Sequence, residues 1–237
     1  KVVLPMKRLT SILLAVGLFA GAPVAAQNRP VVVELFTSQG CSACPLADHV
    51  LKELSERDDV IALALHVDYW DYIGWKDPFG DPLHGQRQRA YASAAGRTSV
   101  YTPEMVVNGT TDVVGTKPMA LSRAIEQHRQ DPVTVKLDLV RAAGVVHIHV
   151  EPLAGAAGPY TLHMLRYRPY ATTEVKRGEN AGNTIENYNI VQDWQVLGRW
   201  GGQKAFDTNA KLAGDLPVVV LVQQGEAGPI AAAARLR

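Results

Sequence analysis

Apolar and polar positions follow one pattern up to about residue 131 and a different pattern beyond it. In the first part, short apolar runs alternate with stretches of helical periodicity, which is typical of α/β folds. A polar and aromatic excursion at 68–99 interrupts this order. The pattern predicts strands at 31–37, at 60–67 and on both sides of Asn108-Gly109, and helices at 45–56, 82–95 and 118–128.

Beyond Asp131-Pro132, apolar and polar residues alternate and little helical periodicity remains. Several short strands separated by Gly- and Pro-containing turns favour an antiparallel β-sandwich. The predicted strands are 133–140, 145–151, 160–168, 187–196 and 217–223. We therefore predict a thioredoxin-like α/β domain at 29–131, with a long insertion at 68–99, followed by an all-β antiparallel sandwich-like domain at 133–237.

Residues 1–26 have the pattern of an export signal. Lys7 and Arg8 form a basic start, an apolar run follows, and small residues end the segment at 24–26. This is the pattern of a cleaved signal peptide, and an uncleaved anchor is the alternative. We expect a periplasmic or secreted protein with no stable membrane span after signal cleavage, in a compartment where disulfides persist.

The charge balance narrows the range of partners. The chain has 24 Lys and Arg residues against 23 Asp and Glu residues, a formal net charge of +1. Nucleic acids and anionic membranes attract strongly basic surfaces, which this composition does not favour. We therefore expect no nucleic-acid partner.

The two cysteines of the chain, Cys41 and Cys44, lie between the first predicted strand and the first predicted helix. A thiol at a helix N-terminus faces unpaired backbone N–H groups and the positive end of the helix dipole, which favour the thiolate. Cys44 lies about one turn further along, close enough for a Cys41–Cys44 disulfide. The pattern predicts a catalytic dithiol, with Cys41 as the nucleophile and Cys44 as the resolving thiol.

Two alternatives remain open for this pair. A structural disulfide closing so small a loop would remove only about 2 kcal/mol of unfolded-state entropy, a weak stabilisation for a chain of this size. Two thiolates could also bind zinc or copper, but no second cysteine pair follows. We expect no metal and no other cofactor.

An aromatic stretch at 68–79 leaves the end of the second predicted strand and contains Trp70 and Trp75. Ligand contacts in α/β folds concentrate at the carboxyl ends of the strands. We predict that Trp70 and Trp75 contribute to substrate binding. Alternatively, these aromatic side chains pack on one another and cover the edge of the core.

The order strand, Cys-x-x-Cys, helix, strand, Thr-Pro, strand, Asn-Gly turn, strand and helix resembles the thioredoxin fold. That resemblance implies a cis-proline at Pro103 beside the dithiol, with Thr102 and Pro103 helping to hold the substrate. Gly40 departs from it, because thioredoxins usually have an aromatic residue at that place. Glu34 corresponds only loosely to their buried acid, and we interpret it as a strand-edge charge rather than a proton acceptor for Cys44.

Four motifs, at 32–45, 66–72, 74–79 and 101–109, resemble a secreted bacterial family, domain of unknown function twelve-twenty-three, within the thioredoxin-like superfamily. The resemblance implies the fold and export, and brings no established substrate. We expect an exported thiol–disulfide oxidoreductase whose partners are protein thiols or disulfides of the cell envelope. The alternatives are a non-catalytic binding module on a thioredoxin scaffold with a structural disulfide and, less favoured, a thiolate metal-binding protein.

Overall fold

The computed structural model describes residues 29–237, which form three α-helices and eleven strands. The helices are α1 (Cys44–Ser55), α2 (Pro82–Ala94) and α3 (Pro118–Arg129), and a single 3-10 turn lies at Asp71–Ile73. The strands are β1 (Val31–Thr37), β2 (Val60–His66), β3 (Glu104–Val107), β4 (Thr111–Val114), β5 (Val135–Ala142), β6 (Val145–Pro152), β7 (Tyr160–Glu174), β8 (Thr184–Trp200), β9 (Phe206–Lys211), β10 (Val218–Gln224) and β11 (Ile230–Leu236).

Each of the three helices has a proline in its first turn: Pro45, Pro82 and Pro118. A proline is well tolerated there because the N–H that it lacks would have no partner within the helix. In α2 the preceding Asp81 also caps the helix, since its carboxylate accepts the backbone N–H of Leu83 at 2.8 Å. These local signals explain why the predicted helices begin within a residue of the observed ones.

Eight strands form one mixed sheet in the order β11-β10-β7-β8-β2-β1-β3-β4. The pairs β1–β2 and β2–β8 are parallel, and the other neighbours are antiparallel. Strand β8 joins β2 at the pair Ala64 and Ile190. A second, three-stranded antiparallel sheet, β5-β6-β9, packs against the β7, β10 and β11 end of the large sheet.

The predicted fold class is wrong. The protein is mostly β, and strands from both predicted domains, 29–131 and 133–237, belong to the same large sheet. Neither a thioredoxin-like α/β domain nor a separate antiparallel sandwich describes this arrangement. Strand β2 is buried on both faces and hydrogen-bonded on both edges, and β8 supplies its second partner. Hydrophobic periodicity reports which residues are buried, but not which distant strand completes the hydrogen bonding.

Strands β7 and β8 are also longer than the predicted 160–168 and 187–196, and the predictions contain no counterpart of β9 and β11. Beyond residue 168, β7 pairs with the first part of β8 and forms an arm in which Tyr170 faces Tyr188 and Glu174 faces Thr184. The arm carries the connection between the two strands to the turn that holds the cysteines. Its residues are largely polar and exposed, so apolar alternation could not mark them as strand.

Alternate residues of β1 and β2 face two different cores, as the pleat of a strand requires. On one face, residues such as Leu35 and Ala64 pack against α1 and α3. On the other face, residues such as Phe36 and Leu65 pack against α2 and side chains of β7 and β10. The two-sided burial fixes the carboxyl ends of β1 and β2, from which the site is built.

In the range 29–237, no helix is long and apolar enough to cross a membrane. The predicted signal peptide at 1–26, and its alternative as an anchor, lie outside the described residues.

Candidate functional site

Cys41 and Cys44 occupy the turn from β1 into α1, and Cys44 is the first residue of the helix. The backbone N–H of Cys44 donates to the carbonyl of Cys41 at 3.2 Å, which closes the turn. Both thiols are free and buried, and their sulfurs lie near each other but not at disulfide distance. The structure therefore describes the pair as two free thiols, and the Cys41–Cys44 disulfide stays a prediction.

The two thiols differ strongly in acidity. A hydrogen bond from the Cys44 thiol is the main reason that the pKa of Cys41 falls from 9.0 to about 6; burial opposes this, and the backbone N–H groups of Ala43 and Cys44 add to it. The pKa of Cys44 is raised, mainly by burial and further by Cys41 and Asp48. Cys41 therefore ionises readily to the thiolate, whereas the neighbouring Cys44 keeps its proton.

Thr102 and Pro103 lie beside Cys41, as the resemblance implied, and their peptide bond is cis. The Sγ of Cys41 donates to the carbonyl oxygen of Thr102 at 3.8 Å. The indole N–H of Trp70 donates to the Thr102 hydroxyl at 2.7 Å. The loop before β3 and the aromatic loop after β2 therefore meet next to Cys41.

Trp75 belongs to the same surroundings but contacts the turn from another side. Its indole N–H donates to the side-chain oxygen of Gln39 at 3.2 Å. The side-chain amide of Gln39 donates in turn to Asn187 of β8 at 2.8 Å. The structure thus gathers all six residues predicted for the site, and it gives Trp75 a contact that holds the turn rather than one that faces Cys41.

Asp48, which sequence reasoning missed, lies one helical turn after Cys44 on the buried face of α1. Its carboxylate accepts the hydroxyl of Thr37 at 3.0 Å. Burial raises the pKa of Asp48 to about 7, although the positive charge of His66 opposes the increase. The signal in the sequence was a charged residue on the apolar face of a predicted helix. Asp48 lies at the i+4 position after Cys44, and Leu51 follows at i+7, so the three share one face.

Behind Asp48 lies a fully buried ion pair, in which Nδ1 of His66 is 2.8 Å from the carboxylate of Asp77. Burial opposes charge on both groups, but the Asp77 charge and hydrogen bond raise the pKa of His66, and His66 lowers that of Asp77. The same carboxylate accepts the backbone N–H of Gln39 at 2.8 Å. Through this hydrogen bond to Gln39, the ion pair holds the turn that contains the cysteines.

The interpretation of Glu34 as a strand-edge charge is wrong. Glu34 is fully buried in β1, an interior strand, and its carboxylate is 2.7 Å from the guanidinium of Arg87. The guanidinium lies over the rings of Tyr91 and Trp194, at 4.7 and 4.2 Å from their centroids. A buried carboxylate needs such a partner, and this partner lies 53 residues away in sequence. Its hydrogen bonds go to Arg87 and Tyr91, not to the cysteines.

The connection between β7 and β8 reaches the cysteine turn from the C-terminal half of the chain. The side-chain amide of Asn180 donates to the carbonyls of Gln39 and Cys41, at 2.9 and 3.0 Å. The carboxylate of Glu179 accepts the backbone N–H of Ser42 at 3.0 Å. Contacts across 137 to 141 positions leave no local signal in the sequence.

Among residues 29–237, no group of three or more His, Cys, Asp or Glu side chains is placed to hold a metal ion. The chemistry available at the turn is that of two thiols of unequal acidity, a buried carboxyl group and oriented backbone N–H groups.

The protein thus has a buried pair of cysteines at a strand-to-helix turn of a mixed β-sheet. A family model identifies its relatives. The chain belongs to the family described as Protein of unknown function (DUF1223), whose model matches residues 32–223. No curated protein matches the chain.

Two solved structures resemble this protein over most of its length. The crystal structure of protein AGR_C_4864 from Agrobacterium tumefaciens is 29% identical with a TM-score of 0.75, and the match covers 87% of this chain and 93% of that one. HBP35 of Porphyromonas gingivalis is 18% identical with a TM-score of 0.62, and the match covers 88% of this chain and 74% of that one. At this identity the second likeness shows the fold alone.

Proposed function

We propose that this protein is a thiol–disulfide oxidoreductase of the periplasm or the extracellular space that acts on protein disulfides through Cys41 and Cys44. One observation carries the proposal: two free thiols lie close together where β1 turns into α1, and a hydrogen bond from Cys44 lowers the pKa of Cys41 to about 6. A pKa near 6 leaves Cys41 largely as thiolate at neutral pH, and the thiolate is the nucleophile of disulfide exchange.

In the reducing direction, the Cys41 thiolate attacks one sulfur of the substrate disulfide. A bond forms between Cys41 and that sulfur, the substrate S–S bond breaks, and the other substrate sulfur leaves as a thiolate. Cys44 then loses its proton and attacks the Cys41 sulfur, which forms the Cys41–Cys44 disulfide and releases the second substrate sulfur. Two electrons pass from the dithiol to the substrate, and the oxidising direction is the same sequence reversed.

The resolving step needs a proton acceptor because burial holds the pKa of Cys44 high. We assign this role to Asp48, whose buried carboxyl lies one helical turn from Cys44 and has a pKa of about 7. A group with a pKa near the working pH can both accept and return a proton.

Thr102 and Pro103 border the Cys41 sulfur and are the proposed contacts for the substrate segment. Trp70 fixes the Thr102 side chain through its 2.7 Å hydrogen bond, and Trp75 acts on the turn through Gln39. The two tryptophans are therefore proposed as positioning residues behind the substrate contacts.

The test is a trap for the mixed disulfide. In a Cys44→Ala variant the complex with a substrate protein cannot be resolved, so it should accumulate in envelope extracts and disappear on reduction. The matched control, Cys41→Ala, keeps Cys44 but lacks the nucleophile and should trap nothing. An empty Cys44→Ala trap, together with no dithiol redox activity of the intact protein, would overturn the proposal.

A measurement of the reduction potential separates catalysis from a structural disulfide. A potential near that of the compartment supports catalysis, because the pair can then cycle between its two states. A very low potential, with unchanged biological activity after both cysteines become serine, would contradict it and favour a binding module.

A further inference from the structure

Cys41 is only 2% exposed, although Ser42 and Ala43 next to it are exposed. Attack on a disulfide requires a roughly linear approach of three sulfur atoms, and a protein disulfide is bulky. A buried sulfur can meet such a substrate only if part of its cover moves.

The connection between β7 and β8, residues 175–183, is called here the strap. It is closed on itself at its base, where the backbone N–H of Val175 donates to the carbonyl of Asn183 at 2.9 Å. The N–H of Gly182 donates back to the carbonyl of Val175 at 2.8 Å. The strap is thus a compact turn that keeps its own hydrogen bonds when its outer contacts break.

The contacts of the strap with the cysteine turn are few and polar. They are the two hydrogen bonds from Asn180 to the carbonyls of Gln39 and Cys41 and the one from Ser42 to Glu179. Within the strap, Val175 and Asn180 are the buried residues, and most of the others are exposed. Segments held by a few replaceable hydrogen bonds, with little apolar burial, open at low free energy.

The aromatic loop, whose Ile73 and Trp75 lie against Gly178 of the strap, is held much more firmly. It is bound to Thr102 through Trp70 and to Gln39 through Trp75. The buried His66–Asp77 ion pair anchors its end, and Asp77 also holds the N–H of Gln39. Of the two segments bound beside the cysteine turn, the strap is therefore the one that can leave while the turn keeps its shape.

We propose that the strap is a lid over Cys41, and that a substrate protein displaces it and takes over the backbone groups that Asn180 and Glu179 hold. The released groups are the N–H of Ser42 and the carbonyls of Gln39 and Cys41, which together suit the main chain of an extended peptide segment. The inference rests on the proposed function and specifies its substrate class: a protein segment able to pair with this turn, rather than a small disulfide alone.

The lid is tested by the accessibility of Cys41 to reagents of two sizes. All proteins carry Cys44→Ser, which leaves one thiol and keeps a hydrogen-bond donor beside it. Alkylation rates are measured with iodoacetamide and with a maleimide on a polyethylene glycol chain, at a pH where Cys41 is fully ionised. We expect Asn180→Ala to raise the rate with the bulky reagent by about tenfold, since two hydrogen bonds are lost, and the rate with iodoacetamide by less.

The control is Asn183→Ala, which changes an exposed asparagine of the same strap and should alter both rates by less than about twofold. A second, independent pair of variants changes Glu179. Glu179→Ala removes the acceptor for the Ser42 N–H, whereas Glu179→Gln keeps an oxygen there. Faster bulky labelling in Glu179→Ala than in Glu179→Gln supports the lid even if Asn180→Ala does not fold. Equal labelling in the strap variants and the control overturns it.

The two proposals fail separately. Alkylation reports access to Cys41 whether or not the protein exchanges disulfides, so an empty substrate trap combined with faster bulky labelling removes the redox function and keeps the lid. Trapped substrates with unchanged labelling of the strap variants keep the redox function and remove the lid.

Discussion

Gly40 lies so close to Trp70 that a side chain at Gly40 would meet it: a Cβ there would be 3.2 Å from the Cβ of Trp70. The same Cβ would be 3.2 Å from Cδ1 of Ile73. Thioredoxins usually have an aromatic residue at the position that corresponds to Gly40. In this protein Trp70 and Ile73 of the aromatic loop after β2 occupy the space beside position 40, and Gly40 leaves the room for them.

Side chains at position 40 should therefore destabilise the protein. We expect Gly40→Ala and Gly40→Phe to lower the free energy of unfolding by about 1 to 3 kcal/mol, with the larger loss for phenylalanine, because overpacking forces neighbours out of place. Urea denaturation measures the effect. Ala43→Phe, at an exposed position of the same turn, is the control and should change stability by less than about 0.5 kcal/mol. Equal losses at both positions would show that Trp70 does not restrict position 40.

The acidity of Cys41 should depend on the hydrogen bond from Cys44. In the reduced protein, the rate of alkylation by iodoacetamide should rise through an inflection near pH 6, the pKa of Cys41. Cys44→Ala removes the main cause of the low pKa and should move the inflection upward, towards 9.0. Cys44→Ser keeps a donor and should leave the inflection closer to that of the unmodified protein. The same shift in both variants would contradict the role given to this hydrogen bond.

Asp48 should make the stability of the protein depend on pH. Its pKa is raised from 3.8 to about 7 in the folded state, so the folded protein holds this proton more tightly than the unfolded chain. The stability from this group is therefore present in full below pH 3.8 and is lost as the pH rises through 7. Asp48→Asn does not titrate.

The free energy of unfolding of the unmodified protein should thus fall relative to Asp48→Asn by about 1.4 kcal/mol per pH unit in this range. Denaturation of both proteins at several pH values measures the difference. A difference that stays constant with pH would show that Asp48 ionises normally. The variant should also resolve mixed disulfides more slowly, since it lacks the proposed proton acceptor for Cys44.

Removal of Glu34 should destabilise the protein strongly without altering the cysteines. Glu34→Ala leaves the buried guanidinium of Arg87 without its partner, and such losses amount to about 3 to 5 kcal/mol. Asp59→Ala breaks the partly exposed pair with Arg57 and should lose at most about 1 kcal/mol. Thermal or urea unfolding compares the two variants. The alkylation inflection of Cys41 should be unchanged in Glu34→Ala; a shifted inflection would show that Glu34 acts on the cysteines.

Much of the local structure could be predicted because its causes are local. The predicted helix at 45–56 differs from α1 (Cys44–Ser55) by one residue at each end, since Pro45 and the spacing of apolar residues mark it. The hairpin at Asn108-Gly109 follows from turn residues, and Asn108 and Gly109 both have positive φ angles. The Cys-x-x-Cys and Thr-Pro motifs likewise indicate the residues of the candidate site, because each motif is a short local pattern.

The site beyond these motifs could not be predicted in the same way. Asp48 was visible only as an acid on an apolar helix face, and its protonation depends on burial by segments far along the chain. The partner of Glu34 is on α2, and the partners of the Gln39 and Cys41 carbonyls are in the strap. Each of these pairs requires the sheet to be assembled first.

From the sequence alone one can predict the helices, most of the strands, the position of the dithiol at a strand-to-helix turn and the family of the chain. These follow from side-chain periodicity, turn residues and short motifs, which act over a few residues. The tertiary fold sets three further features: β8 pairs with β2, Cys44 and Asp48 are buried together, and Asn180 donates a hydrogen bond to the Cys41 carbonyl. Strand pairing and burial are non-local: they depend on which distant segments satisfy buried hydrogen-bonding groups, and no short stretch of sequence carries that information.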